Sequence, residues 1–157
     1  MTWPLYPVEN VLPQRPPMVL IDEIVARGAD SLVAGVSIRP DGLFFQPGLG
    51  VPCHVALEWM ERACGAFAGS EALDDAGAVK IGFLLGTRDF QSERTWFAEG
   101  EYLYVRIRLE YRDEELANFA CEVADSATGA PLAKASLNVF HPHDAAALIG
   151  SQAAPPS

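Results

Sequence analysis

The sequence predicts an α+β fold in which an antiparallel sheet wraps one long central helix. Three observations carry that prediction. A single stretch, Val51 to Gly69, is rich in Leu, Met, Glu and Ala with no proline after Pro52, the composition of a helix whose first turn tolerates proline. Much of the remainder alternates apolar and polar residues with a period of two. The intervals between these strand-like runs are too short for parallel crossovers, which favours antiparallel pairing.

Each element follows in order. Val11 to Pro17 is dominated by proline and polar residues and reads as an irregular lead-in to the apolar run Met18 to Ile21, where a first strand is expected. Arg27-Gly28-Ala29-Asp30 is a turn signal. Ser31 to Arg39 then places Leu32, Ala34, Val36 and Ile38 on one face, so a hairpin is predicted. In the helix, apolar residues occupy nearly every angle, which predicts burial on all sides. The small residues Gly65, Ala66, Ala68 and Gly69 would let a sheet approach closely. Four strands should follow: Ile81 to Asp89, a run with Leu103, Val105, Ile107, Leu109 and Tyr111 on one face, then Phe119 to Val123, and Ala133 to Val139 after the turn at Thr128-Gly129.

The chain of 157 residues, half of them apolar, suits one domain, taken as residues 1–149, with Gly150 to Ser157 as a small, proline-containing tail expected to be disordered. Met1 to Asn10 lacks the basic cluster and apolar run of a signal peptide. No stretch approaches the roughly 18 uninterrupted apolar residues of a membrane span. A cytoplasmic protein is therefore expected. The three cysteines, Cys53, Cys64 and Cys121, have apolar neighbours and read as free thiols in a reducing compartment. The net charge of −10 argues against nucleic acid, whose phosphates reward clustered cations.

Several segments together resemble a known family. Leu12-Pro-Gln-Arg-Pro-Pro-Met-Val-Leu-Ile-Asp22 is similar to the opening of FabZ-type 3-hydroxyacyl-carrier-protein dehydratases. Pro52-Cys-His-Val-Ala-Leu-Glu-Trp-Met-Glu-Arg-Ala-Cys-Gly65 resembles their central helix, and Leu84-Leu-Gly-Thr-Arg-Asp-Phe90 with Glu99-Gly100-Glu101 resembles the strand and turn that follow it. The helix start, the Gly-x-x-Leu-Gly-x-Arg-Asp segment and the ending Asn138-Val-Phe-His-Pro142 look closest to the ApeP-like branch of aryl-polyene clusters. The resemblance covers nearly the whole chain. It implies a hot-dog fold, a dimer formed by joining sheets, sites at the interface, and acyl thioesters of acyl carrier protein or coenzyme A as partners, without a cofactor.

By the same resemblance Glu58 falls on the family's catalytic acid, and Cys53 stands where a backbone N–H near the helix start would hold the thioester oxygen. The family's histidine position, counted back from Glu58, is occupied by Phe44, which cannot take a proton. Phe44 and Phe45 become candidate substrate-binding residues. Removing water from a 3-hydroxyacyl thioester needs a base, an acid and a polarised carbonyl. His54 precedes Glu58 by four residues, so both are expected on one helical face, either as base and acid or merely hydrogen-bonded to each other. Arg62 extends that face as a candidate substrate contact or as a structural ion pair with Glu58.

Three readings follow from the departures. The chain is a dehydratase using Glu58 and His54, a non-catalytic hot-dog subunit that binds acyl chains or completes a heterodimer with an active dehydratase, or a hot-dog thioesterase; a homodimer and a heterodimer with another hot-dog subunit both stand open. Other motifs carry less. His141 and His143 lack partners at metal-site spacing, and Gly82 and Gly86 flank a strand and so form no phosphate loop. An acidic carrier protein would need a local basic patch, yet the eleven basic residues form no run.

Overall fold

A computed structural model of the protein describes residues 2–77 and 83–140, the side chain of Phe83 excepted. In chain order the elements are α1 (Val8–Val11), β1 (Glu23–Arg27), β2 (Ser31–Ser37), β3 (Val51–Pro52), a 3-10 turn (Cys53–Val55), α2 (Ala56–Asp74), β4 (Phe83–Ser92), β5 (Trp96–Phe97), β6 (Tyr102–Asp113), β7 (Leu116–Asp125) and β8 (Pro131–Phe140). Six strands form one sheet in the order β1-β2-β6-β7-β8-β4, every pair antiparallel, while β3 and β5 make a small separate pair. This is the hot-dog arrangement: one long helix packed against an antiparallel sheet.

The alternating runs explain the sheet. Leu32, Ala34 and Val36 on β2, Leu103, Val105 and Ile107 on β6, Phe119, Cys121 and Val123 on β7, and Ala135, Leu137 and Val139 on β8 are all buried. The residues between them line the opposite face. Helix α2 answers with Trp59, Met60, Ala63, Cys64 and Phe67. Phe67 meets Phe119 edge-on with centroids 5.7 Å apart, and the thiols of Cys64 and Cys121 lie 3.8 Å apart at the same layer. The alternation on β6 outruns the core, because a register shift between Leu109 and Tyr111 carries Tyr111 to the surface.

Four expectations need correction. Met18 to Ile21 is not a strand; Pro16 and Pro17 supply no N–H groups, Leu20 has a left-handed backbone (φ 66°), and the first strand begins at Glu23. The helix starts five residues later than Val51 and runs to Asp74. Its start is delayed because Val51 and Pro52 pair with Phe97 and Trp96. Its end is a Schellman closure, in which Ala76 N–H donates to Leu73 O and Gly77 N–H to Ala72 O, with Ala76 in the left-handed region.

The helix is also not buried all round, since Leu57, Glu58, Glu61 and Ala68 form a half-exposed stripe. Two of its small residues, Gly65 and Gly69, admit α1 and the segment after it rather than the sheet. A Cβ at Gly69 would stand 2.0 Å from Val11 O, and one at Gly65 would stand 3.1 Å from the Leu12 side chain. Of the first expected post-helix strand, Ile81 and Gly82 lie outside the described residues, as do His141, Pro142, His143 and the tail at 150–157.

Candidate functional site

The start of α2 is held from both sides. Ahead of it, Gly50 turns the chain with φ 104°, and a Cβ there would meet Phe97 O at 2.0 Å, so only glycine lets this loop lie against β5. Behind it, Arg94 grips Glu101 through two hydrogen bonds of 2.8 and 2.9 Å, and the same carboxylate accepts the Ala98 N–H at 2.6 Å. The Arg94 guanidinium holds the Glu101 carboxyl below the usual carboxylate range against an opposing push from burial. This clamp closes the loop that carries Trp96 and Phe97 to β3, and Phe97 stacks at 5.2 Å on Trp59 of the helix. The clamp residues were not legible as site-forming in sequence; an Arg and a Glu seven residues apart in a loop give no periodic signal.

Glu58 stands on the open stripe with its side chain 45% exposed and no hydrogen bond among the described residues. Its charged neighbour is Arg62, whose Nη1 lies 3.9 Å from the nearer carboxylate oxygen. Arg62 is buried, donates from Nε to Met18 O at 2.9 Å, and approaches Glu61 more closely, at 3.4 Å. Burial raises the Glu61 carboxyl's proton affinity, opposed by Arg62 and reinforced by Glu58. The charge on Arg62 therefore answers two carboxylates and one carbonyl. A buried cation in an apolar helix demands such an acceptor, and that demand was the only sequence signal for the Met18 contact.

The other candidates are placed differently from expectation. His54 lies in the 3-10 turn, is exposed, and its side chain makes no hydrogen bond or ion pair among the described residues. It precedes the α-helix, which begins at Ala56, and no hydrogen bond joins its side chain to Glu58 among the described residues. The Cys53 N–H is spent on Thr95 O at 2.9 Å, extending the β3–β5 pairing, so it is not an open donor for a thioester oxygen. Phe44 and Phe45 are half-buried against the core. Phe44 lines a groove of about 490 Å³ beside the first turn of α2, with Leu20, Val36, Val55 and Trp59 as further apolar walls and Asp22 and Arg39 at its polar side. Glu58, His54 and Phe45 are not among the residues lining that groove.

The ApeP-like family, described as ApeP dehydratase, matches residues 6–150. The chain belongs to the ApeP-like dehydratase family. A chain of the dehydratase heterocomplex ApeI:P from Xenorhabdus doucetiae superposes with a TM-score of 0.84 at 27% identity, covering 94% of this chain and 98% of the other. Two further structures share the fold alone. A hypothetical thioesterase with coenzyme A from Streptococcus pneumoniae gives a TM-score of 0.61 at 10% identity, over 76% of this chain and 84% of that one. The E. coli PaaI protein from the phenylacetic acid degradation operon gives 0.59 at 9% identity, over 74% and 80%. No curated protein sequence matches the chain.

Within the ApeP-like family this protein is thus a dehydratase-like hot-dog protein. Among the described residues no helix is long and apolar enough to cross a membrane, and no group of three or more His, Cys, Asp or Glu side chains is placed to hold a metal ion.

Proposed function

We propose that the chain is one subunit of a hetero-oligomeric 3-hydroxyacyl thioester dehydratase, in which Glu58 serves as the acid and a partner hot-dog subunit supplies the base. The observation that carries this reading is the half-exposed Glu58 carboxylate with no imidazole bonded to it, together with Phe44 at the family's histidine position. Half of the required chemistry is present and half is missing. ApeI:P is a dehydratase heterocomplex, which supports a reading in which a second subunit makes good what this chain lacks.

The sheet offers a place for that partner. Among the described residues strand β4 is an edge, paired only with β8, and it exposes Leu84 at 38% and Leu85 at 59%. Pairing with a partner's edge strand would cover these side chains. In the reaction the partner's base takes the proton next to the thioester carbonyl, and the Cα–H electron pair forms the new double bond. The C–O bond to the hydroxyl breaks as Glu58 donates its proton, releasing water and an enoyl thioester. Glu58 is left as the carboxylate, and proton exchange with solvent restores both groups. Polarisation of the carbonyl falls to donors other than the Cys53 N–H. The same reading takes residues 1–149 as a single domain working in the cytoplasm on acyl groups carried by acyl carrier protein or coenzyme A.

The test is to assay the purified chain alone, and after co-expression with a catalytically competent hot-dog subunit, on 3-hydroxyacyl-carrier-protein substrates. Enoyl product is expected from the complex and not from the isolated chain, and Glu58→Gln in the complex should reduce it to a small residual rate. Undiminished product from the Glu58→Gln complex would leave the chain as a structural subunit, and robust turnover by the isolated chain would restore a self-contained site with His54.

A further inference from the structure

We propose that Arg62 is a positioning residue for Glu58, with a guanidinium moored on the Met18 carbonyl so that it stabilises the negative charge appearing on Glu58 when that acid gives up its proton. This inference rests on the reading of Glu58 as the acid.

The argument begins with cost. Arg62 is only 6% exposed, in the middle of a helix whose other buried residues are mostly apolar. A buried guanidinium needs both hydrogen bonds and countercharge, and an apolar side chain of similar volume often serves stability as well or better. Packing alone therefore gives no reason for arginine here. The side chain's position is nevertheless well determined. Nε donates to Met18 O at 2.9 Å, which ties the helix to the irregular stretch before β1, and this places Nη1 between Glu61 at 3.4 Å and Glu58 at 3.9 Å.

The two distances divide the work. Glu61, with its carboxylate nearer, is the resting counter-ion. The 3.9 Å separation to Glu58 is too long for a hydrogen bond, so in the resting chain no hydrogen bond fixes the Glu58 carboxyl to Arg62. A rotation of the Glu58 carboxyl toward Nη1 closes that gap once the proton has left. A donor already in place where charge develops costs no reorganisation at the moment of reaction. Among the described residues Glu58 has no other ion-pair partner and no hydrogen bond, so Arg62 is the group that restrains it.

The experiment uses the dehydrating complex, with Arg62→Met and Arg62→Lys made in wild-type and Glu58→Gln backgrounds, and kcat, KM and thermal melting read for each. Arg62→Met should lower kcat by about tenfold to a hundredfold with KM within about twofold. Arg62→Lys, which keeps the charge and loses the Nε mooring, should recover part of the loss. In the residual turnover of Glu58→Gln, Arg62→Met should cost nothing more, because the group it serves is gone. Wild-type kcat in either Arg62 variant, or an equal loss in both backgrounds, overturns the proposal. If Arg62→Met fails to assemble, Arg62→Lys decides, since it must lie several-fold below wild type at unchanged KM. Loss of activity in Glu58→Gln with unchanged Arg62 variants defeats this inference alone, whereas full activity in Glu58→Gln defeats the acid assignment and this inference with it.

Discussion

Arg27 at the end of β1 and Asp74 at the end of α2 form an ion pair of 2.7 Å in which the guanidinium is only 1% exposed. The pair is elaborated by the N-terminal segment. Pro4 O accepts from Arg27, Tyr6 donates to Asp74, and the rings of Trp3 and Tyr6 lie 5.5 and 5.8 Å from the guanidinium. Asp74→Asn should therefore cost about 3 kcal/mol, more than Arg27→Met, because it strands a buried cation whereas the second change removes it. Urea melts of the two variants check the order.

The same pair sets an acid limit. Arg27, by hydrogen bond, holds the Asp74 carboxyl below its ordinary value of 3.8, with Tyr6 assisting against burial. A carboxyl with a lowered folded-state value contributes stability that is complete above the unfolded value and is lost as pH falls through the folded one. Melting temperature should decline between about pH 5 and pH 2 more steeply in wild type than in Asp74→Asn. Equal slopes would show that the pair does not govern acid stability.

His54 is exposed and its imidazole is bonded to nothing among the described residues, so it has no orienting partner of the kind a general base needs. His54→Ala in the active complex should keep kcat within about twofold. A loss of a hundredfold would return His54 to the chemistry.

Gly69 allows α1 to rest on α2, with Val11 O where a Cβ would sit at 2.0 Å. Gly69→Ala should cost about 3 kcal/mol by forcing α1 away. Faster proteolytic cleavage near residues 5–15, alongside the lower melting temperature, would locate the damage at α1.

Burial pushes the Cys64 thiol well above its ordinary range, and Cys121 lies buried beside it, whereas Cys53 is half-buried. Thiolate is the reactive form, so iodoacetamide should label Cys53 first in the native protein, with Cys64 and Cys121 at least about tenfold slower until denaturant is added. Peptide mass spectrometry after timed quenching reads this directly.

The alternation at Leu32 to Ile38, Leu103 to Ile107, Phe119 to Val123 and Ala133 to Val139 was enough to specify the sheet and its buried face, because a period of two is a local property that burial of one face simply confirms. The helix's identity was equally local, and so was the family resemblance, which rests on order along the chain. Its boundaries were not. Val51 and Pro52 became a strand because Trp96 and Phe97, some forty-five residues later, offered backbone partners, and the same pairing consumed the Cys53 N–H through Thr95. The place of His54 in the turn ahead of α2 follows from that pairing, and the mooring of Arg62 on Met18 from the path of the preceding loop. Composition and periodicity report what a residue prefers; which donor meets which acceptor depends on chain segments distant in sequence, and only the folded arrangement decides it.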